Sequence, residues 1–133
     1  MAITGTCLCG AVQLAAARRP RSLTQCNCSV CRRYGTLWAY YRRSAVTIAA
    51  PRGALVPYKR RPRGRLRFVH CASCGCVVCW ESNDKRADAR LALNGRLLDP
   101  HAMAQVPIKI LDGDRTWKVL DTFVCAGIFV TPA

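Results

Sequence analysis

Three thiols within six residues are the part of this sequence best suited to chemistry. They are Cys26, Cys28 and Cys31, and Arg32 and Arg33 follow them directly. A structural zinc site takes all four ligands from the protein, whereas a catalytic zinc site takes three and keeps one position open. Three local thiols therefore predict a metal with an open position. Two alternatives stand beside this: buried, apolar thiols, or a closed structural site that a distant cysteine completes.

Two further motifs have the spacing of metal-binding turns. In Cys7-x-Cys9-Gly10 the cysteines are two residues apart, and on a strand or hairpin they would point to one face. Cys71-x-x-Cys74-Gly75 has the spacing of a zinc knuckle, whose turn presents both sulfurs to one ion. The glycine after each pair permits the positive φ that a tight turn often needs. Each motif is therefore predicted to supply two thiolates to a metal.

The remaining cysteines and both histidines are not predicted to bind metal or to catalyse a reaction. Cys76 and Cys79 belong to a strand-like run of valine and tryptophan, and Cys125 lies between apolar neighbours. Free cysteine in such a setting behaves as a small apolar residue, so these three are predicted to lie in the core. His70 adjoins a predicted ligand and His101 lies in a predicted turn, so neither is assigned as a general base.

The length of the chain, and the position of its first arginines after its apolar opening, favour a cytoplasmic protein with reduced thiols. A chain of 133 residues suffices for one domain, 1–133, without disulfide staples. The apolar opening 2–17 is too short to span a membrane, and Arg18, Arg19 and Arg21 follow it, the reverse of a signal peptide. In a reducing compartment, closely spaced cysteines are metal ligands more often than disulfides. No membrane association is expected.

The formal charge of +14, from 21 basic and 7 acidic residues, favours anionic partners. Nucleic acid, a phosphate-bearing surface and a small polycarboxylate all fit, and so does a soluble surface that is merely rich in arginine. The segment 59–67 holds six basic residues in nine. It is either an anion-binding arm or a mobile, solvated hairpin tip. The second interpretation is favoured, because no aromatic residue interleaves with the charges.

Alternation and turn residues predict a chain made mainly of strands. Strands are predicted at 37–41, 45–49, 55–58, 87–93 and within 116–124. The 55–58 strand contains a proline and is expected at a sheet edge. Asn94-Gly95 predicts a type I′ hairpin and Asp112-Gly113 a second turn. A helical turn is predicted at 100–104.

The order of these motifs resembles the glutathione-dependent formaldehyde-activating family, to which centromere protein V is related. The motifs that carry the resemblance are Gly5-x-Cys7-x-Cys9-Gly10, Cys26-x-Cys28-Ser29-x-Cys31-Arg32-Arg33, Cys71-x-x-Cys74-Gly75 and Gly95-x-Leu97-x-Asp99-Pro100. Together they cover nearly the whole chain. The resemblance implies a mainly β, Mss4-like fold with zinc-linked sheets and few helical turns.

The resemblance also implies how the thiols combine. A closed structural zinc site would be formed by Cys7, Cys9, Cys71 and Cys74. A second zinc with an open position would be held by Cys26, Cys28 and Cys31. Many members carry histidine where this chain has Asn27, which leaves the ligands unchanged but alters their surroundings.

The implied activity is the addition of glutathione, or another small thiol, to formaldehyde or a small aldehyde, a reaction classed with carbon–sulfur lyases. Arg32 and Arg33 would offset the charge of three thiolates or hold a glutathione carboxylate, although an exposed basic pair explains them equally well. The competing functions are a basic nucleic-acid-binding module and a zinc protein whose two metals only stabilise the fold.

Overall fold

The structure, a computed structural model, describes residues 2–124, and strands dominate this part of the chain. There are eleven strands: β1 Ile3–Thr6, β2 Gln13–Ala16, β3 Leu23–Cys26, β4 Trp38–Arg42, β5 Val46–Ala49, β6 Leu55–Tyr58, β7 Leu66–Cys71, β8 Val77–Ser82, β9 Arg90–Asn94, β10 Ile108–Leu111 and β11 Val119–Phe123. The two helices are α1 Ser29–Tyr34 and α2 Pro100–Met103. The predicted mainly β, Mss4-like class is confirmed.

The strands form a small sheet and a large one. The small sheet has the order β1-β2-β5, and the large sheet has the order β11-β10-β3-β4-β9-β8-β7-β6. Within the described residues every pairing is antiparallel except that of β3 with β10. Strand β6, with Pro57, lies at an edge of the large sheet as predicted, where a residue without an N–H is tolerated.

The large sheet buries side chains on both faces. On β9, Leu91 and Leu93 join the main apolar core together with Tyr41 of β4. Ala92, between the two leucines, points to the opposite face and packs with Trp38 of β4 in a second apolar cluster. Alternate residues of a strand point to opposite faces, so this sheet separates the two cores.

The hairpin predicted at Asn94-Gly95 was wrong, because this segment forms a 3₁₀ turn, Gly95–Leu97. The Asn94 side chain caps the turn by accepting from the backbone N–H two residues later. The Gly95 N–H donates to the carbonyl of Leu37 at 2.7 Å, and a Cβ at Gly95 would lie 2.7 Å from the Leu23 side chain. A close approach of two segments therefore explains this glycine.

The first strand is attached to the chain that follows this turn. Gly5 pairs with Leu98 in an isolated bridge, and the N–H of Asp99 donates to the carbonyl of Thr4 at 2.8 Å. A Cβ at Gly5 would overlap the backbone of Leu97. The segment around Gly5 and the Gly95-x-Leu97-x-Asp99 motif thus contact each other through their backbones.

Two other local predictions have mixed outcomes. The helical turn at 100–104 is confirmed as α2, whereas the strand predicted at 87–93 begins only at Arg90. Just before it, the Asp84 carboxylate accepts from the backbone N–H of Arg86 at 2.9 Å. Such a side-chain bond favours a turn over a strand. None of the helices in residues 2–124 has the length and apolar character needed to cross a membrane.

Candidate metal centres

Cys26, Cys28 and Cys31 are brought together by a strand that runs directly into a helix. Cys26 is the last residue of β3, Cys28 is the N-cap of α1, and Cys31 lies in the first turn of α1. Their sulfurs all lie within 4.8 Å of one another. The helix ends after six residues because Gly35 takes a left-handed conformation, with φ of 66°, and donates to the Cys31 carbonyl. We call these residues the three-thiol cluster.

Every sulfur of the three-thiol cluster accepts an N–H hydrogen bond. The backbone N–H of Cys28 donates to the Cys26 sulfur at 3.5 Å, and that of Cys31 donates to the Cys28 sulfur at 3.4 Å. The Trp38 indole Nε1–H donates to the Cys31 sulfur at 3.3 Å. N–H donors favour the thiolate over the thiol, so these bonds suit sulfurs that bind a metal.

Burial and hydrogen bonding affect the three thiols differently. Burial raises the pKa of Cys31, although the Trp38 N–H opposes this. Burial also raises the pKa of Cys26. For Cys28 burial acts in the same direction, but the hydrogen bonds from the Cys31 backbone and from neighbouring thiols outweigh it, and the pKa lies below its usual value. Cys28 is therefore the thiol of the cluster that ionises most readily.

The described chain offers the three-thiol cluster no fourth ligand. In residues 2–124 no further cysteine, histidine or carboxylate lies within the same mutual distance of the three sulfurs. Tetrahedral zinc has four positions, so three protein ligands leave one for a small molecule. Among residues 2–124 the arrangement is that of an open site, and no distant cysteine in this range completes it.

Gly113 packs directly against the Cys26 sulfur. It lies in the turn between β10 and β11, and a Cβ built on it would overlap the Cys26 sulfur and lie 3.5 Å from the Cβ of Cys28. The turn was predicted from Asp112-Gly113, but its contact with the cluster was not. Only a residue without a side chain permits this approach.

The three-thiol cluster opens into a cavity of about 510 Å³. The β6–β7 loop contributes Arg60, Arg61 and Arg65 to its lining, and these exposed side chains form no salt bridge with an acidic residue of the described chain. The segment 59–67, predicted to be a solvated tip, thus also forms a wall beside the thiols. Three unpaired guanidinium groups there favour an anionic ligand.

The predicted substrate arginines lie elsewhere. Arg32 and Arg33 are exposed on α1, and Arg33 donates to the carbonyl of Ser29 at 2.8 Å. Neither belongs to the cavity lining, so their role toward a substrate stays a prediction. His70 contacts the carbonyl of Cys71 and His101 lies in α2, and neither of them lines the cavity either.

The other four predicted ligands meet where the two sheets join. Cys7 and Cys9 lie in the turn between the antiparallel strands β1 and β2, which agrees with the hairpin alternative predicted for this segment. Cys71 ends β7 and Cys74 lies in the following turn. All four sulfurs lie within 4.8 Å of one another. We call them the four-thiol cluster. It connects a hairpin of the small sheet to a hairpin of the large sheet.

Sulfur spacings in the four-thiol cluster suit a tetrahedral ion. The Cys9 sulfur lies 3.6 Å from that of Cys7 and 3.7 Å from that of Cys71. Tetrahedral zinc with Zn–S bonds of about 2.3 Å requires sulfurs about 3.8 Å apart, whereas a disulfide requires about 2.05 Å. Hydrogen bonds from the backbone of Cys76 and of Cys9 lower the pKa of Cys74 to about 5. The donor set fits zinc.

The glycines that follow each pair adopt the predicted conformation. Gly10 has φ of 81° and Gly75 has φ of 77°. Of the cysteines predicted to lie in the core, Cys79 is buried on β8, and Cys76 is half-buried and packs against the main core. Cys125 lies outside the described residues.

The β10–β11 turn is fixed by an unpredicted network centred on Asn27. The Asn27 amide donates to the Asp112 carboxylate at 3.1 Å and accepts from the backbone N–H of Asp114 at 3.1 Å. Thr116 donates to the same carboxylate through its hydroxyl at 2.9 Å. Asn27 lies between two cysteines of the three-thiol cluster, so the network joins the turn to the cluster.

Trp117, in the same turn, has a strained backbone. Its φ is 59°, its indole is 70% exposed, and it lines the cavity. A bulky residue in the left-handed region costs about 1–3 kcal/mol. The backbone N–H of Trp117 donates to the carbonyl of Asp112 at 2.7 Å, and the N–H of Asp112 donates to that of Lys118 at 2.9 Å. No signal in the sequence indicated this conformation.

Comparison with known proteins agrees with this geometry. Residues 2–110 match the model of the family described as glutathione-dependent formaldehyde-activating enzyme. The chain belongs to this family. The match includes the seven cysteines of the two clusters, which have the geometry to hold metal ions. A formaldehyde-activating or related zinc-binding function follows at the level of the family.

One solved structure illustrates the likeness in fold. The crystal structure of a Rhodobacter sphaeroides protein, a structural-genomics target, is similar to this chain with a TM-score of 0.61 and 25% sequence identity. The alignment covers 79% of this chain and 98% of that one. Among curated proteins the chain has no significant match. The β10–β11 turn lies beyond the residues that match the family model.

Proposed function

We propose that this protein catalyses the addition of a small thiol, such as glutathione, to a small aldehyde at the three-thiol cluster. The observation that carries the proposal is the absence of a fourth protein ligand within residues 2–124, at a cluster that opens into a cavity. A cluster serving only stability would be closed, as the four-thiol cluster is. Family membership supports glutathione and formaldehyde as the starting point for tests.

The reaction forms one carbon–sulfur bond. The thiol sulfur attacks the aldehyde carbon, the carbon–oxygen double bond becomes a single bond, and the thiol proton ends on the oxygen. Zinc bound by Cys26, Cys28 and Cys31 would lower the pKa of a thiol in its open position and polarise the aldehyde oxygen. The protein's own part is to hold the two reactants together, which converts a bimolecular step into an effectively unimolecular one.

Residues around the cluster support this role. Arg60, Arg61 and Arg65 supply guanidinium groups that pair with carboxylates in a bidentate manner. The Trp38 N–H and the backbone N–H groups fix the orientation of the sulfurs. Gly113 places the β10–β11 turn directly against the Cys26 sulfur, in the wall of the same cavity.

Replacement of Cys28 by serine tests the proposal. Serine is also a good N-cap, so Cys28→Ser keeps the start of α1 but removes one metal ligand. We expect the enzymatic rate of S-hydroxymethylglutathione formation, measured by exchange NMR, to fall at least about 100-fold, because losing even an outer partner of a ligand costs about 10–100-fold. Cys76→Ser, outside both clusters, is the control and should stay active.

Two results would contradict the proposal. One is an unchanged rate in Cys28→Ser, and the other is a fully metal-loaded wild-type protein that accelerates no thiol and aldehyde pair. X-ray absorption at the zinc edge provides an independent check, since an open site shows three sulfurs plus a small ligand that glutathione replaces.

A further inference from the structure

The cavity beside the three-thiol cluster has a basic side and an aromatic side. The basic side consists of Arg60, Arg61 and Arg65. The aromatic side includes Tyr40, Trp80 and Trp117. Carboxylates of an anionic thiol are satisfied by the first side alone. Formaldehyde has no apolar group. In a reaction between glutathione and formaldehyde, the aromatic side of the cavity would therefore contact no matching group of the aldehyde.

Strand register explains how the aromatic side forms. Tyr40 on β4 lies opposite Ala92 on β9, and Ala92 lies opposite Trp80 on β8. Directly opposed residues share a face of the sheet. Because Ala92 is small and fully buried, the two rings meet above it, with centroids 5.9 Å apart at 65°. Both rings remain half-buried and line the cavity.

Trp117 adds a third ring from a different element. Its exposed indole lies on a backbone with φ of 59°, and its backbone N–H donates to the carbonyl of Asp112 at 2.7 Å. An exposed aromatic side chain on a strained backbone gains nothing from burial, so its placement points to a ligand. The family match ends at residue 110. Trp117 therefore lies outside the residues that match the family model.

We propose that the aldehyde partner carries an aromatic or bulky apolar group, which packs between Trp117 and the rings of Tyr40 and Trp80. This inference rests on the proposed function and specifies its substrate class. The covalent step is unchanged: sulfur adds to the aldehyde carbon, and the thiol proton moves to the oxygen. The arginines hold the thiol's carboxylates while the three rings exclude water from the apolar group.

Two thioethers test this without turnover. S-benzylglutathione resembles the adduct of an aromatic aldehyde, and S-methylglutathione resembles the formaldehyde adduct. By calorimetry on the metal-loaded protein, we expect the benzyl compound to bind at least about tenfold more tightly, because it buries a ring against apolar surface. Equal affinities, or a preference for the methyl compound, would overturn the inference.

Variants locate the effect at Trp117. Trp117→Ala should reduce the benzyl preference to less than about threefold, and Trp117→Phe should restore most of it, because a ring is retained. Leu120→Ala is the matched control, since Leu120 is 60% exposed on β11 but does not line the cavity. A benzyl preference that persists in Trp117→Ala contradicts the assigned position of the ring.

Kinetics separate this inference from the proposed function. With glutathione as the thiol, we expect the rate acceleration, kcat/KM divided by the uncatalysed rate constant of the same aldehyde, to be about tenfold higher for benzaldehyde than for formaldehyde. A higher value for formaldehyde overturns the inference and leaves the proposed function intact. Acceleration of neither reaction contradicts the proposed function, while the thioether affinities still decide whether the cavity selects an aromatic group.

Discussion

Trp38 connects the sheet to the three-thiol cluster through one hydrogen bond. Its ring is 1% exposed and packs near Phe68, with ring centroids 6.2 Å apart. The packing fixes the position from which Nε1–H donates to the Cys31 sulfur at 3.3 Å. Rigid partners of this kind orient metal ligands and tune their charge. The residue thus has a structural and an electrostatic role at once.

Replacing Trp38 by phenylalanine should weaken metal binding at the three-thiol cluster by about tenfold, because the sulfur loses its only described side-chain donor. Competition with a chromophoric chelator measures the affinity. Trp80→Phe is the control, since Trp80 makes no hydrogen bond to a cysteine sulfur among the described contacts. Equal losses in both variants would assign the effect to packing alone.

At this scale the spacing in the sequence indicated which thiols lie together, but it did not indicate the residues around them. Spacing alone suffices for ligands such as Cys26 and Cys28, because a short stretch of chain sets their distance. Arg61 and Trp117 reach the cavity only through the pairing of distant strands. No local pattern encodes such a contact. The substrate role of Arg32 and Arg33, inferred from their proximity in sequence to the thiols, stays a prediction.

Among the elements, the β10–β11 turn packs directly against the Cys26 sulfur of the three-thiol cluster. Gly113→Ala should displace this turn or the Cys26 sulfur, at a cost of about 1–3 kcal/mol for overpacking. We expect the variant to lose one metal equivalent while the four-thiol cluster keeps its own. Metal content by mass spectrometry checks this. Asp114→Ala, one residue later, adds no atom against the sulfur and should retain both metals.

Strands with a clear sequence pattern were predictable. Turns whose conformation depends on contact with a distant segment were not. The strands at 37–41, 45–49 and 55–58 follow β-branched and aromatic residues, and the structure contains them. Asn94-Gly95 has a strong hairpin signal, but contact with Leu23 and Leu37 converts it into a 3₁₀ turn. Cys7 and Cys9 likewise lie in a turn, which their spacing did not distinguish from a strand.

For the whole molecule, the four-thiol cluster joins the two sheets, whereas the three-thiol cluster lies within one local segment. Cys9→Ser should therefore lower the free energy of unfolding by at least about 3 kcal/mol, since structural zinc contributes to folding directly. Cys9 is exposed, so the change creates no cavity. Cys28→Ser should cost only about 1 kcal/mol, because the N-cap is kept.

Chemical denaturation followed by circular dichroism, with metal content recorded for each variant, measures these differences. Prolonged treatment of the wild-type protein with a strong chelator should reproduce the large loss of stability. If Cys28→Ser proves as destabilised as Cys9→Ser, the three-thiol cluster is also a structural site, and the division of roles between the two clusters is wrong.

The parallel pairing of β3 with β10 has a consequence for biosynthesis. A chain leaving the ribosome contains all four thiols of the four-thiol cluster once residue 74 is made, but β3 gains its second neighbour, β10, only after Ile108–Leu111. Until the turn that follows arrives, the Cys26 sulfur lacks the cover of Gly113. Three adjacent uncovered thiols are prone to oxidation. Reductant and zinc present during translation or refolding should therefore decide how much of the protein acquires a working site.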